Sequence, residues 1–135
     1  MRGVLLIAYA SRTGNVARFV QKLVETRHVP TLRIQNGAEQ VGEPCVLITY
    51  TTGFGQIPCE VMHFAERNQH QIRGVVASGN RNWGARYAGA ADLLSARFGF
   101  PVLHKFELSG RESDVWAVWR CIEEMHLVKE DRCAT

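Results

Sequence analysis

Ser11-Arg12-Thr13-Gly14-Asn15 gathers hydroxyl, guanidinium and amide groups around one glycine, and Val16, Phe19, Val20, Leu23 and Val24 follow at helical spacing. A helix N-terminus leaves backbone N–H groups without partners and carries partial positive charge, so a loop running straight into one is prepared to hold an anion. Ser11, Thr13 and Asn15 add side-chain donors, and Gly14 permits a close backbone approach or a positive φ. The guest this loop expects is a phosphate. The plainer alternative is that Ser11 or Thr13 only caps the helix.

Two further segments carry the same kind of chemistry. Tyr50 is followed by Thr51-Thr52-Gly53-Phe54-Gly55-Gln56, and Ser78 by Gly79-Asn80-Arg81-Asn82-Trp83-Gly84, with Tyr87 close behind. Their glycine-flexible turns offer backbone N–H and C=O groups, and the rings of Phe54, Trp83 and Tyr87 suit a flat, polar-edged heterocycle.

These segments can act together only if the fold brings them together. Val4-Leu5-Leu6-Ile7-Ala8, Cys45-Val46-Leu47-Ile48-Thr49-Tyr50 and Val75-Val76-Ala77-Ser78 are nearly continuous apolar runs, the pattern of strands buried on both faces. Thr31-Leu32-Arg33-Ile34 and Val102 to Leu108 alternate, as strands at a sheet's edge do. Helices are expected after each central strand: the first with Val16 to Val24, one opening at Pro58 with Val61, Met62, Phe64 and Ala65, and one from Tyr87 to Phe98 stopped by Gly99. A last helix carries Val115, Val118, Trp119, Ile122 and Met125, with Ser109 and Glu112 at capping-box spacing. Strands alternating with helices imply an α/β fold, and buried centre with alternating edges fits the flavodoxin-like doubly wound five-stranded parallel sheet of order 2-1-3-4-5, helices on both faces. Right-handed crossovers then put the C-terminal ends of all strands on one edge, where the three loops must converge. A phosphate joined to a flat polar ring system is a mononucleotide, and flavin mononucleotide (FMN) fits best.

Composition bounds the alternatives. The 135 residues fit one domain, expected over 1–128 with a flexible tail over 129–135. The net charge of +3 comes from scattered basic residues with no nucleic-acid motif behind them, and no run approaches the length needed to cross a bilayer. Cys45, Cys59, Cys121 and Cys133 form no C-x-x-C pair, so neither zinc nor a disulfide framework is expected, and a reducing cytoplasm is the natural setting. Cys59 is read as an inert side chain, with reactivity the alternative. His63, His70, His104 and His126 show no ligand spacing. Met1-Arg2, an apolar run and Ala8-Tyr9-Ala10 superficially resemble a signal peptide, but cleavage there would delete the first strand.

Tyr50-Thr51-Thr52-Gly53-Phe54-Gly55, Ala77-Ser78-Gly79-Asn80-Arg81-Asn82-Trp83-Gly84 and His104-Lys105-Phe106-Glu107-Leu108-Ser109-Gly110 resemble segments of the NrdI family, flavodoxin-like activators of class Ib ribonucleotide reductase. The resemblance runs from about Val4 to the last helix. It implies bound FMN and a redox role toward the reductase's dimanganese small subunit, with dioxygen and an unidentified reductant as the other participants. In that family the reduced flavin turns dioxygen into superoxide or a related oxidant, which travels to the dimanganese centre and enables formation of the tyrosyl radical. Residues 11 to 15 match the family's phosphate loop, and Thr51 to Gly55 and Asn80 to Gly84 its two ring-binding loops. Val16 stands where ordinary flavodoxins usually have a threonine, so backbone amides must carry more of the phosphate. The chain also lacks the acidity of a general electron carrier.

Two readings concern the ring. Gly53 or Gly55 lets a peptide unit rotate and turn a carbonyl toward the flavin N5 on reduction, unless these glycines only shape the turn. Arg81 and Arg86 raise the local potential, or are simply solvated. Trp83 is expected to stack on the ring or dock a partner. The competing functions are a flavodoxin-type electron carrier, a small flavin-dependent reductase lacking an evident nicotinamide loop, and a phosphate-binding scaffold.

Overall fold

The computed structural model describes residues 5–53, 55–80, 84 and 87–125. Nine elements follow in order: β1 (Leu6–Tyr9), α1 (Asn15–Thr26), β2 (Thr31–Arg33), β3 (Cys45–Thr49), α2 (Cys59–Asn68), β4 (Ile72–Gly79), α3 (Gly89–Phe98), β5 (Val102–Glu107) and α4 (Glu112–Glu124). The strands form one parallel sheet of order β2-β1-β3-β4-β5, as the hydrophobic pattern predicts. Chain direction across the sheet reverses between β1 and β3, whose register pairs Tyr9 with Ile48.

The apolar runs are continuous because successive side chains enter two different cores. Cys45 and Leu47 pack with Val61 and Phe64 of α2 and with Leu94 of α3. Val46 and Ile48 face the other way, toward Phe19 and Leu23 of α1 and Val118 and Ile122 of α4. All five residues of β3 are buried, whereas the edge strand β2 is exposed at both ends. Phe19 stacks on Phe106 at 3.9 Å between ring centroids, joining α1 to β5, and the Trp119 indole N–H donates to the Leu23 carbonyl at 3.2 Å.

Two local expectations change. β4 begins at Ile72, because Ile72 and Gly74 pair with Cys45 and Val46 of β3, and Gly74 leaves room for the Leu103 side chain, which an added Cβ would approach within 2.7 Å. α4 is not capped by Ser109 and Glu112. Its N-cap is Arg111, whose backbone N–H donates to Asp114 at 2.7 Å, since Ser109 is engaged with α1.

The β2–β3 connection is held by Glu39, whose carboxylate accepts the Gln35 and Gly37 amides at 2.8 and 3.0 Å. Burial raises its pKa, but the hydrogen bonds from Gln35, Asn36 and Gly37 outweigh it, and the net shift is downward from 4.5. A carboxyl with a lowered folded-state pKa contributes stability above its unfolded value and loses it as pH falls through the folded one. The stabilisation from Glu39 is therefore complete at neutral pH, begins to fall near pH 4.5 and is lost as pH drops through the lower folded-state value. Thermal unfolding from pH 7 to pH 3 should show Glu39→Gln less stable at neutral pH by about 1 kcal/mol and converging on the wild type in acid.

No helix among the described residues is long and apolar enough to cross a membrane. Cys45, Cys59 and Cys121 are free thiols. Burial pushes the Cys45 thiol up to about 12, so it stays protonated. Among the described residues no His, Cys, Asp and Glu cluster could hold a metal, and His104 instead meets Asp114 at 2.7 Å. His126 and the expected tail lie outside the described residues.

Candidate functional site

The C-terminal ends of β1, β3, β4 and β5 open onto one cleft of about 290 Å³ at the place where the sheet's winding reverses. Its walls come from three loops, as predicted, and from a fourth that follows β5. Arg12, Thr13, Asn15 and Val16 line it from the first loop. Tyr50, Thr51, Thr52 and Gly53 line it from the second, and Ser78, Gly79 and Asn80 from the third.

The first loop enters α1 through Gly14, which serves as N-cap at φ 94 and has no side chain to offer. Ser11 fills that role from three residues upstream, its hydroxyl accepting the Ala17 N–H at 3.1 Å. The capping alternative is thus true of Ser11, which is not among the lining residues, and not of Thr13. Arg18 N–H closes the first helical hydrogen bond onto Gly14, so the Asn15 and Val16 amides have no acceptor among the described residues. Two open amides at a helix N-terminus beside a cleft are an anion cradle. Val16 contributes an amide and no hydroxyl, which leaves the backbone as the donor at that position.

Arg12 and Arg33 flank this point, Arg12 over the Tyr50 ring at 5.6 Å and Arg33 donating to the Ser11 carbonyl at 3.0 Å. Neither has a carboxylate partner among the described residues. The Tyr50 hydroxyl donates to Glu60 at 2.6 Å. Burial first, then the hydrogen bond to Glu60 and its charge, push the phenol up to about 12, which keeps it a neutral ring and not a proton carrier.

The second loop is a tight hairpin in which Thr52 and Gln56 exchange backbone hydrogen bonds of 3.0 and 2.8 Å, with Gly53 at φ 56 and Gly55 at φ 86. It sits on α3: the Thr51 hydroxyl accepts the Ala90 N–H at 3.4 Å, and a Cβ on Gly89 would come within 2.8 Å of the Gly55 carbonyl oxygen. Gly55 is accordingly buried under α3 and does not line the cleft. In the third loop Gly84 and Tyr87 are not among the lining residues, and the Tyr87 N–H donates to the Gly84 carbonyl at 2.9 Å. Phe54, Arg81, Asn82, Trp83 and Arg86 lie outside the described residues.

Two lining residues escaped the sequence reading. Ala88 and Leu108 are the non-glycine residues with positive φ among those described, at 51 and 55, and both border the cleft. L residues held in that region carry strain of order 1 kcal/mol each, and such strain concentrates at functional sites. The Ala88 backbone lies close against Gly79, and Leu108 is held by a pair of hydrogen bonds: its N–H to Gly79 O at 3.1 Å and its carbonyl from Ser78 Oγ at 2.7 Å. Neither residue type announces itself. The only available signal was topological, because β5 adjoins β4 and its following loop must reach the same edge.

The cleft offers two open amides at one end and a hairpin of glycine-flexible backbone beside them. Comparison with known proteins places the fold and the family. Solved structures share the fold: oxidised flavodoxin 2 from Bacillus cereus at a TM-score of 0.60 and 19% identity, covering 93% of this chain and 99% of the other, and an archaeal flavodoxin at 0.59 and 13%, with the same coverage. Sequence relatives are nearer. Protein NrdI of Macrococcus caseolyticus is 48% identical over 82% of this chain and 83% of its own length, and protein NrdI of Bacillus licheniformis 46% over 83% and 82%. Residues 7–120 match the family described as NrdI flavodoxin-like, and the chain belongs to that family.

Proposed function

We propose that the protein binds FMN in this cleft and supports class Ib ribonucleotide reductase, delivering a superoxide-type oxidant or electrons for assembly of the dimanganese-tyrosyl radical in the small subunit. Membership in a flavodoxin-like family implies a flavin. The observation that carries the finer reading is the pair of open amides on Asn15 and Val16 facing the same cleft as the 51–56 hairpin. That pairing matches a phosphate at one end and a planar ring at the other.

When bound, the flavin supplies the redox chemistry, and the protein sets its orientation and surroundings. Asn15, Val16 and Thr13 would take the phosphate, with Arg12 adding charge. The hairpin at Thr51 to Gly55 and the segment Ser78 to Gly84 would border the ring, with Phe54, Asn80, Arg81, Asn82, Trp83 and Tyr87 assigned to that end. Anchoring of the hairpin on α3 keeps its backbone groups aimed at one place. The rim of the cleft is where an oxidant must leave, so the partner subunit docks there.

Gly53 supplies the adjustable element. Its positive φ suits glycine, and among the described residues an added Cβ would meet only the Gln56 side chain at 3.6 Å, so Gly53→Ala brings no clash there but costs about 1–2 kcal/mol in conformation while restricting peptide rotation. Anaerobic titration should find both flavin potentials displaced in Gly53→Ala, with FMN affinity changed less than tenfold. Unchanged potentials would make the glycine a turn former only. The function itself is tested by mixing FMN-loaded, reduced protein with the manganese(II)-loaded small subunit and dioxygen, and reading tyrosyl radical by electron paramagnetic resonance. Radical that depends on this protein supports the proposal, and none above the protein-free control refutes it.

A further inference from the structure

Asn15 occupies the first position of α1 and borders the cleft, yet its side-chain oxygen is fully engaged from behind. Oδ1 accepts from Arg18 Nη2 at 2.7 Å and from Ser109 Oγ at 2.8 Å, and Arg18 Nε donates to the same Ser109 oxygen at 3.2 Å. A guanidinium has donors only, so the atom facing it must be the amide's oxygen, which fixes the orientation of the group. No described residue accepts from Asn15 Nδ2.

The clamp is itself braced. Lys22 Nζ donates to the carbonyls of Ser109 and Gly110 at 3.3 and 3.1 Å, while Ser78 Oγ and the Gly79 carbonyl hold Leu108 from the other side. The β5–α4 loop thus reaches across the end of the sheet, over 94 residues of sequence, to set one side chain at the mouth of α1. Neither Ser109 nor Arg18 lines the cleft.

We propose that Ser109 and Arg18 are positioning residues that turn the Asn15 NH₂ into the cleft as a donor to the ligand's phosphate. Recognition of the phosphorylated flavin over the unphosphorylated one then depends on two side chains, Ser109 and Arg18, that do not line the cleft. This rests on the FMN reading above, which the same experiment checks separately.

The test is a double-mutant cycle on FMN affinity, measured by quenching of flavin fluorescence, with riboflavin titrated in parallel. Asn15→Ala should weaken FMN about tenfold, the effect of one hydrogen bond to a charged group. Ser109→Ala should weaken it about threefold to tenfold, Ser109→Thr should restore it by keeping the hydroxyl, and Asn15→Ala with Ser109→Ala should be no weaker than Asn15→Ala alone. Riboflavin affinity should not move in any variant. Ser109→Ala without effect, or with an effect that simply adds to that of Asn15→Ala, overturns the clamp while leaving the FMN reading intact. A wild-type protein that ignores FMN overturns both.

Discussion

Gly79→Ala should lower FMN affinity at least tenfold and destabilise the fold by about 1–3 kcal/mol, the usual range for overpacking a close contact. Gly79 ends β4, and a Cβ there would lie 2.4 Å from the Ala88 nitrogen and 2.8 Å from its Cα. Those neighbours are backbone, so no side chain can swing aside to make room. Ala88 must retreat by about 1 Å to reach ordinary contact, and it already occupies a strained left-handed conformation. Because Ala88 forms a wall of the cleft and leads into α3, its displacement carries the Thr51 anchor with it. Loss of one or two placed hydrogen bonds to a ligand is worth tenfold or more. Calorimetric unfolding without flavin separates the stability cost from the binding cost.

Gly110→Ala should produce the larger loss of stability, about 2–5 kcal/mol, against a total that for a domain of this kind is of order 5–15 kcal/mol. The conformation, at φ 76, costs an L residue about 1–2 kcal/mol. An added Cβ would also stand 2.6 Å from the Phe19 ring and 3.1 Å from that of Phe106, the stacked pair that joins α1 to β5. Overpacking there adds about 1–3 kcal/mol. Gly99→Ala is the control: its φ is 82, but nothing lies within 4 Å of the new atom, so only the conformational cost of about 1–2 kcal/mol applies. Denaturant titration of the three proteins should rank them wild type, Gly99→Ala, Gly110→Ala. Equal losses in the two variants would remove Phe19 from the explanation.

The sheet was legible because burial on both faces leaves a distinct trace. Cys45 to Thr49 reads as one apolar run since alternate residues feed opposite cores, and Thr31 to Arg33 alternates since it lies at an edge. That contrast was sufficient to order the strands, and order was sufficient to bring the three loops together. Glycine-rich turns were visible for the same reason, as positive φ at Gly14, Gly53 and Gly55 demands the residue that appears there.

What stayed hidden depends on partners far away in sequence. Ser109 has the right spacing to cap α4 with Glu112, and only the tertiary approach of α1 redirects it to Asn15 while Asp114 takes over the cap. Leu108 and Ala88 carry no local mark of a left-handed conformation, because their neighbours impose it. The sequence placed Ser11 among the phosphate donors by proximity, and its use as acceptor for the Ala17 N–H needed the helix to be seen.

The account stands on the cleft at the β1–β3 reversal holding FMN. Titration of flavin-free protein with FMN, followed by flavin fluorescence, tests it most directly. The account predicts saturable quenching at one FMN per chain, weakened at least tenfold by Gly79→Ala. Fluorescence that stays that of free FMN, with the wild-type protein folded and in excess, would contradict it.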